Sequence, residues 1–231
     1  MTTKLKYRCL IIDHDDTAVD STAKIHYPAH IEVMSILRPY MEPVTLREWF
    51  IKNFHPGIME YLTNELAMTP SEMEVEYEVW KRHTATTVPD FYPGFVETLS
   101  SFRKAGGTVA VVSHSEKHII ERHYRSYNGD ISFVPDIIFG WDYNEEMRKP
   151  SPRPVLEILK KFGLKPSQAL ILDDLKPGVL MGRVTGVEIA AAGWGHDIPE
   201  IAGYMRKNCI KYFESVQNFE RFILHPQQAK G

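Results

Sequence analysis

The sequence lacks the residue patterns that mark secreted, membrane-spanning and nucleic-acid-binding proteins. Only two of the 231 residues are cysteine, Cys9 and Cys209, so a disulfide framework is excluded and reduced thiols in a cytoplasmic protein are expected. The 27 basic residues stand against 30 acidic ones, for a net charge of −3, which argues against a nucleic acid or an anionic membrane as partner. No apolar run approaches the roughly 20 residues of a membrane span, and the run before Asp13 is too short for a signal peptide.

Short apolar runs alternate with helical patterns through most of the chain. Runs that are apolar on both faces are typical of buried parallel strands; they are Tyr7–Ile12, Thr108–Val112, Asp136–Phe139, Ala169–Leu172 and Val187–Ala191. Helical patterns lie between them, at about residues 94–105, 116–126, 152–162 and 176–185. This alternation predicts an α/β fold with a doubly wound, Rossmann-like parallel sheet.

Residues 19–91 interrupt this alternation. Four helical patterns follow one another there, separated by proline-containing turns, and no strand-like run occurs among them. The sequence therefore predicts a core made of residues 1–18 and 92–231, with an all-helical cap, residues 19–91, inserted after the first strand.

The acidic cluster Asp13-His14-Asp15-Asp16-Thr17 follows the first predicted strand directly. Three carboxylates in four positions repel one another, and a bound cation is the common way to neutralise such a cluster. The carboxyl ends of strands in an open α/β sheet are also where ligands bind. A solvated acidic turn is the alternative, but the buried strand before the cluster favours a site.

The segment "LIIDHDDTAVDS" resembles the first motif of the haloacid dehalogenase superfamily, Asp-x-Asp-x-Thr after a buried strand. The other three motifs of that superfamily can be matched in the same order. "TVAVVSHS" supplies Ser113, "RKPSPRP" supplies Lys149, and "LILDDLKPG" supplies the pair Asp173 and Asp174. Each lies at a predicted strand end or helix start, and the resemblance spans nearly the whole chain.

The resemblance implies an aspartate nucleophile and a Mg²⁺ cofactor. Asp13 would attack phosphorus and form an aspartyl-phosphate, and Asp15 would act as general acid and then as general base. Mg²⁺ would be bound by Asp13, the backbone carbonyl of Asp15 and Asp174. Asp173 would hold the metal indirectly, through water or another ligand.

The resemblance also implies the groups that bind the phosphate. The Ser113 hydroxyl and the backbone N–H of His114 would donate to phosphate oxygens. Lys149 would supply a positive charge between nucleophile and phosphate. Thr17 would orient Asp15 or its loop.

The helical insertion is similar to the alpha-helical cap of the superfamily's phosphoglycolate phosphatase and β-phosphoglucomutase branch. Such caps exclude water and select the leaving group. His55 and Lys52 lie near the loop between two cap helices that carries specificity in relatives, so they are candidates for substrate contact. An equally good interpretation is that His55 and Lys52 are surface residues without a functional role.

Two residues of the first motif depart from the family pattern. Asp16 stands where glycine is common, which adds a carboxylate at a position where the backbone turns sharply. His14 occupies a normally apolar position and is expected to be exposed or to face the cap. Neither departure removes a residue that the proposed chemistry needs.

The sequence thus predicts a Mg²⁺-dependent phosphatase for a small phosphorylated metabolite such as a sugar phosphate, phosphoglycolate or a nucleoside monophosphate. A phosphomutase is the first alternative, although the histidine that such mutases carry twelve residues after the nucleophile is absent: Ile25 stands there, next to His26. A receiver-like module or an inactive phosphatase homologue is the second. Either a monomer or a homodimer is compatible with the sequence.

Overall fold

A six-stranded parallel sheet organises the larger part of the protein. The computed structural model describes residues 5–129 and 131–225. Its strands are β1 (Cys9–Ile12), β2 (Thr108–Val112), β3 (Ile137–Phe139), β4 (Ala169–Asp173), β5 (Glu188–Ala192) and β6 (Lys211–Phe213). They lie in the order β3-β2-β1-β4-β5-β6, and all neighbouring pairs are parallel. The predicted doubly wound α/β sheet is confirmed.

The register of β1 fixes the edge at which its neighbours end. Ile12 pairs with Val111 of β2 on one side and with Leu172 of β4 on the other. The polar residues that follow these three strands therefore emerge at one edge of the sheet. Every residue of β1 and β4 is buried, which explains why both strands are apolar on both faces.

Ten α-helices occur among the described residues. Four belong to the insertion: α1 (Tyr27–Leu37), α2 (Leu46–Phe54), α3 (Ile58–Glu60) and α4 (Pro70–Thr86). Six follow it: α5 (Phe95–Lys104), α6 (Lys117–Arg125), α7 (Arg153–Phe162), α8 (Lys176–Thr185), α9 (Pro199–Asn208) and α10 (Val216–Leu224). Sequence patterns predicted α5 to α8 within a few residues and four helices in the insertion, but they missed α9, β6 and α10. None of the described helices has both the length and the apolar character needed to cross a bilayer.

The chain divides into two compact units, Met1–Val19 with Phe91–Gly231, and Asp20–Asp90. The larger unit has its hydrophobic core around the sheet, including the fully buried Phe95, Phe102 and Phe219. The ends of the predicted core, residues 1–4 and 226–231, lie outside the described residues. We keep the division into a catalytic core and a functional cap as a proposal.

The helical unit begins two of its helices with the same hydrogen-bonded motif. Thr45 accepts a hydrogen bond from the backbone N–H of Glu48, and the Glu48 carboxylate accepts one from the backbone N–H of Thr45. Thr69 and Glu72 form the same reciprocal pair before α4. Each motif satisfies two backbone donors that a helix start leaves open.

A buried histidine lies in the core of the helical unit. His30 is 3% exposed. Its ring stacks on Trp49, with ring centroids 4.1 Å apart, and meets Tyr61 edge-on at 5.9 Å. Because burial disfavours the charged form, the pKa of His30 is lowered to about 4.

Acid should therefore destabilise the helical unit through His30. The ring protonates near pH 6.5 in the unfolded chain but near pH 4 in the folded one, so stability is complete above pH 6.5 and falls as the pH drops toward 4. Between pH 7 and pH 5, protonation of His30 in the unfolded chain should lower the free energy of unfolding by about 2 kcal/mol. Urea unfolding followed by tryptophan fluorescence at both pH values measures the loss.

His30→Phe keeps an aromatic ring but cannot be protonated, so it should lose correspondingly less stability over the same pH interval. His118→Gln removes an exposed histidine and should behave like the wild type. Equal losses in wild type and His30→Phe would contradict the role of His30.

Candidate active site

The sheet brings the predicted site residues of the core together at the carboxyl ends of β1, β2 and β4. Asp13 follows β1 and donates its backbone N–H to the carbonyl of Leu172, at 2.9 Å. Ser113 follows β2 and donates its backbone N–H to the carbonyl of Phe139, also at 2.9 Å. Asp173 is the last residue of β4. Backbone pairing thus fixes where each of these side chains starts.

Lys149 joins two of the carboxylates. Its Nζ lies 2.6 Å from Asp13 Oδ1 and 2.5 Å from Asp173 Oδ2, and the side chain is buried. Burial by itself would lower the pKa of Lys149, but the two carboxylates outweigh it and raise the pKa. The ammonium is therefore charged. It holds Asp13 by one oxygen and leaves Oδ2 for other contacts.

The site holds more negative than positive charge. Oxygen atoms of Asp13, Asp173 and Asp174 all lie within 4.8 Å of one another, and all three residues are buried. Burial raises the pKa of Asp173 to about 6 even beside Lys149. Burial, followed by the charges of Asp13 and Asp173, raises the pKa of Asp174 well above its usual range. One ammonium among three carboxylates leaves a net charge of −2 when all are ionised.

Two contacts define the surroundings of Asp174. The Thr17 hydroxyl lies 3.3 Å from Asp174 Oδ1 and 3.2 Å from Asp13 Oδ2, so it links the two loops. Asp174 Oδ2 is buried and accepts no hydrogen bond from the described residues, although Nε2 of His196 lies 3.6 Å from it. Because a buried carboxylate oxygen without a donor is costly, this oxygen and the excess charge fit a site for a divalent, oxygen-liganded cation.

Asp15 lies against the loop that follows β2. Its Oδ2 accepts hydrogen bonds from the hydroxyls of Ser113, at 3.0 Å, and Ser115, at 2.8 Å. The backbone N–H of Ser115 in turn donates to Ser113 Oγ, at 3.0 Å. Sequence analysis identified Asp15 and Ser113 but missed Ser115, although the alternation in "SHS" places both serines two residues apart after a strand.

The histidines near the site differ in exposure. His114 is exposed, and its Nε2 donates to the backbone carbonyl of Lys149, at 3.1 Å. His14, expected to be exposed or to face the cap, is fully buried. Its Nε2 lies 2.9 Å from Nδ1 of His123 on α6, and the two rings stack with centroids 5.2 Å apart. The expectation for His14 was wrong because a hydrogen-bonded partner makes its burial tolerable.

The loop after β5 packs on the loop of the acidic cluster. Asp16 has a positive φ of 55°, a conformation that aspartate tolerates better than most residues. A Cβ at Gly195 would lie 2.0 Å from the carbonyl oxygen of Asp16, so only glycine fits there. Trp194 donates its ring N–H to the carbonyl of Thr17, at 3.0 Å. The loop after β5 thus holds the turn at Asp16 through contacts with its backbone, and Asp16 adopts the positive φ that glycine would otherwise provide.

The two predicted substrate contacts belong to the helical unit. Lys52 forms an ion pair with Glu65, and its ammonium lies 5.2 Å from the ring centroid of Tyr61. His55 is exposed. Their contact with a substrate stays a prediction.

The sequence and the fold were compared with known proteins. Among curated proteins, the phosphoglycolate phosphatase of Aquifex aeolicus is 27% identical over 201 residues, which is 82% of this chain and 86% of that protein. The pyrophosphatase PpaX of Bacillus cereus is 22% identical over 200 residues, 82% of this chain and 85% of that protein. A solved hydrolase of the haloacid dehalogenase-like family from Streptococcus pneumoniae superposes with a TM-score of 0.74 at 16% identity, covering 94% of this chain and 98% of that one.

The family model described as haloacid dehalogenase-like hydrolase matches residues 10–192. The match begins within β1 and ends with β5, so it includes all four motifs and the helical insertion. It confirms the family predicted from the motifs and the prediction that the protein is an enzyme, and the names of the curated relatives agree with a phosphoric monoester hydrolase. The chain belongs to the haloacid dehalogenase-like hydrolase family.

Proposed function

We propose that the protein is a Mg²⁺-dependent phosphatase that hydrolyses a small phosphorylated metabolite through an aspartyl-phosphate intermediate. The observation that carries the proposal is the buried arrangement of Asp13, Lys149 and Asp173, with Ser113 and Asp15 at the same edge of the sheet. A carboxylate held by an ammonium at one oxygen is oriented for attack through the other. Asp15, as general acid and then base, and the hydroxyl of Ser113 would then act on the phosphate that Asp13 attacks.

In the first step, Asp13 Oδ2 forms a bond to phosphorus while the bond between phosphorus and the ester oxygen breaks. Asp15, protonated, gives its proton to that ester oxygen, which leaves as an alcohol. In the second step Asp15 takes a proton from water, the water oxygen bonds to phosphorus, and Asp13 is released as a carboxylate. Lys149 and Ser113 bind phosphate oxygens, and the charge of Lys149 offsets the repulsion between phosphate and Asp13.

The donor set fits Mg²⁺. Asp13, Asp174 and the backbone carbonyl of Asp15 would hold the ion, and Asp173, which is hydrogen-bonded to Lys149, would act through water. When bound, Mg²⁺ supplies positive charge that favours an anionic phosphate in a site rich in carboxylates. The excess negative charge and the buried oxygen of Asp174 that accepts no hydrogen bond from the described residues support this assignment.

The relatives support the substrate class. Their names include phosphoglycolate phosphatase and a pyrophosphatase, and a structural neighbour was solved with xylulose-(1,5)bisphosphate. These compounds are small and phosphorylated, so we assign sugar phosphates, phosphoglycolate and nucleoside monophosphates as the class to test. We place the reaction in the cytoplasm and leave monomer and homodimer as the two states to measure.

The nucleophile can be tested by removing its charge. The wild type should release phosphate from part of a panel of phosphorylated metabolites in Mg²⁺ and not in EDTA. Asp13→Asn should fall to the level of the no-enzyme control, because an amide oxygen does not form the acyl-phosphate. Phosphate release is measured at steady state.

Asp142→Asn removes an exposed carboxylate of the same unit and should keep full activity. Turnover in Asp13→Asn would contradict the role of Asp13. If the wild type releases no phosphate from any compound but interconverts phosphate esters, the protein is a phosphomutase instead.

The cation site can be tested apart from activity. Mg²⁺ should raise the melting temperature of the wild type, because it binds the folded state. Asp174→Asn should melt higher than the wild type in EDTA, since it removes a buried charge that its neighbours disfavour, and it should lose the increase on adding Mg²⁺. A variant that keeps the full Mg²⁺ increase would show that Asp174 does not bind the ion.

The proposed substrate contacts can be tested by specificity. Lys52→Ala and His55→Ala should raise KM for the preferred metabolite several-fold, while the kinetics with p-nitrophenyl phosphate stay near those of the wild type. Lys81→Ala changes an exposed lysine on α4 and serves as the control. Equal effects on both substrates would exclude a contact with the leaving group.

A further inference from the structure

Two hydroxyls donate to one oxygen of Asp15. Ser113 Oγ and Ser115 Oγ lie 3.0 and 2.8 Å from Asp15 Oδ2, and the two serines are 1% and 3% exposed. Only Ser113 has a role in the proposed reaction. The shorter of the two hydrogen bonds comes from Ser115, which the reaction leaves unassigned.

Ser113 cannot serve Asp15 and the phosphate at once. A hydroxyl has a single hydrogen to donate, and its oxygen already accepts the backbone N–H of Ser115, at 3.0 Å. When Ser113 turns its hydrogen to a phosphate oxygen, its bond to Asp15 is lost. The bond from Ser115 can persist through that change.

We propose that Ser115 is a positioning residue that holds the general acid Asp15 by Oδ2 while Ser113 binds the phosphate. This role rests on the proposed phosphatase reaction. It gives the two serines of the loop separate tasks, one on the substrate and one on the acid.

The backbone around Ser115 is fixed independently of Asp15. The Ser115 carbonyl accepts a hydrogen bond from the backbone N–H of Trp141, at 2.9 Å. A Cβ at Gly140 would lie 2.4 Å from the backbone nitrogen of Lys117 and 2.6 Å from the Ser115 carbonyl. The segment after β3 therefore packs closely against the segment after β2. This packing fixes the Cα position from which the Ser115 side chain extends.

The experiment compares two leaving groups. An alkyl phosphate needs a proton on its departing oxygen, whereas p-nitrophenol leaves as the anion and needs little help from an acid. Ser115→Ala should lower kcat/KM for the preferred alkyl phosphate by about 10- to 100-fold and for p-nitrophenyl phosphate by less than about threefold. The parameter kcat/KM reports the step in which the leaving group departs.

Two variants frame the result. Asp15→Asn removes the acid itself and should show the same difference between the substrates, only larger. Ser100→Ala removes a hydroxyl that is 7% exposed, on α5, and should leave both substrates unchanged. Melting curves for the three variants verify that each is folded.

Equal losses with both substrates, or no loss with either, would overturn the role of Ser115 while an inactive Asp13→Asn leaves the proposed function standing. If Asp13→Asn still releases phosphate, the proposed function fails first and the role of Ser115 with it. A decrease in kcat/KM of Ser115→Ala that is confined to the alkyl phosphate supports both the role of Ser115 and the proposed function.

Discussion

The structure of the site depends on the burial of three carboxylates around a single ammonium. Lys149 lies within 2.6 Å of Asp13 and 2.5 Å of Asp173, and all three are shielded from solvent. Such an arrangement is stable when the backbone holds each charged group in place and a bound cation compensates the excess negative charge. The excess of negative charge destabilises the site when no ligand is bound. Of the proposed ligands, the cation would neutralise this charge and the phosphate would then bind beside it.

The parallel sheet provides this positional control. Asp13, Ser113 and Asp173 all follow or end strands whose register is set by backbone hydrogen bonds with β1 or its neighbours. The loop after β5 adds support that no motif indicates. Trp194 donates to the carbonyl of Thr17, and Gly195 leaves room for the carbonyl of Asp16. The carboxylate of Asp16 adds negative charge beside Asp174, whose pKa it helps to raise.

The sequence predicted the fold class correctly, and it named candidate site residues that the fold brings together, because both depend on local patterns. Buried parallel strands are apolar on both faces, and their polar ends converge whatever lies between them. What escaped prediction depends on pairing between distant segments. The proposed role of Ser115 depends on its hydrogen bond to Asp15, a hundred residues earlier. The burial of His14 depends on its contact with His123. Strand β6 begins with the exposed Lys211, so it lacks the all-apolar run that marks the equally short β3.

The charges of the core also limit what the core can select. In the reaction that we propose, Lys149, Ser113 and the carboxylates act on the phosphoryl group, and Asp15 acts on the one ester oxygen that every phosphate monoester has. None of these groups distinguishes one alcohol from another. Discrimination among metabolites therefore has to come from residues outside the four motifs. The helical unit has its own hydrophobic core and its own capped helices. Its surface side chains can therefore change without disturbing the buried charges on which the proposed catalysis depends.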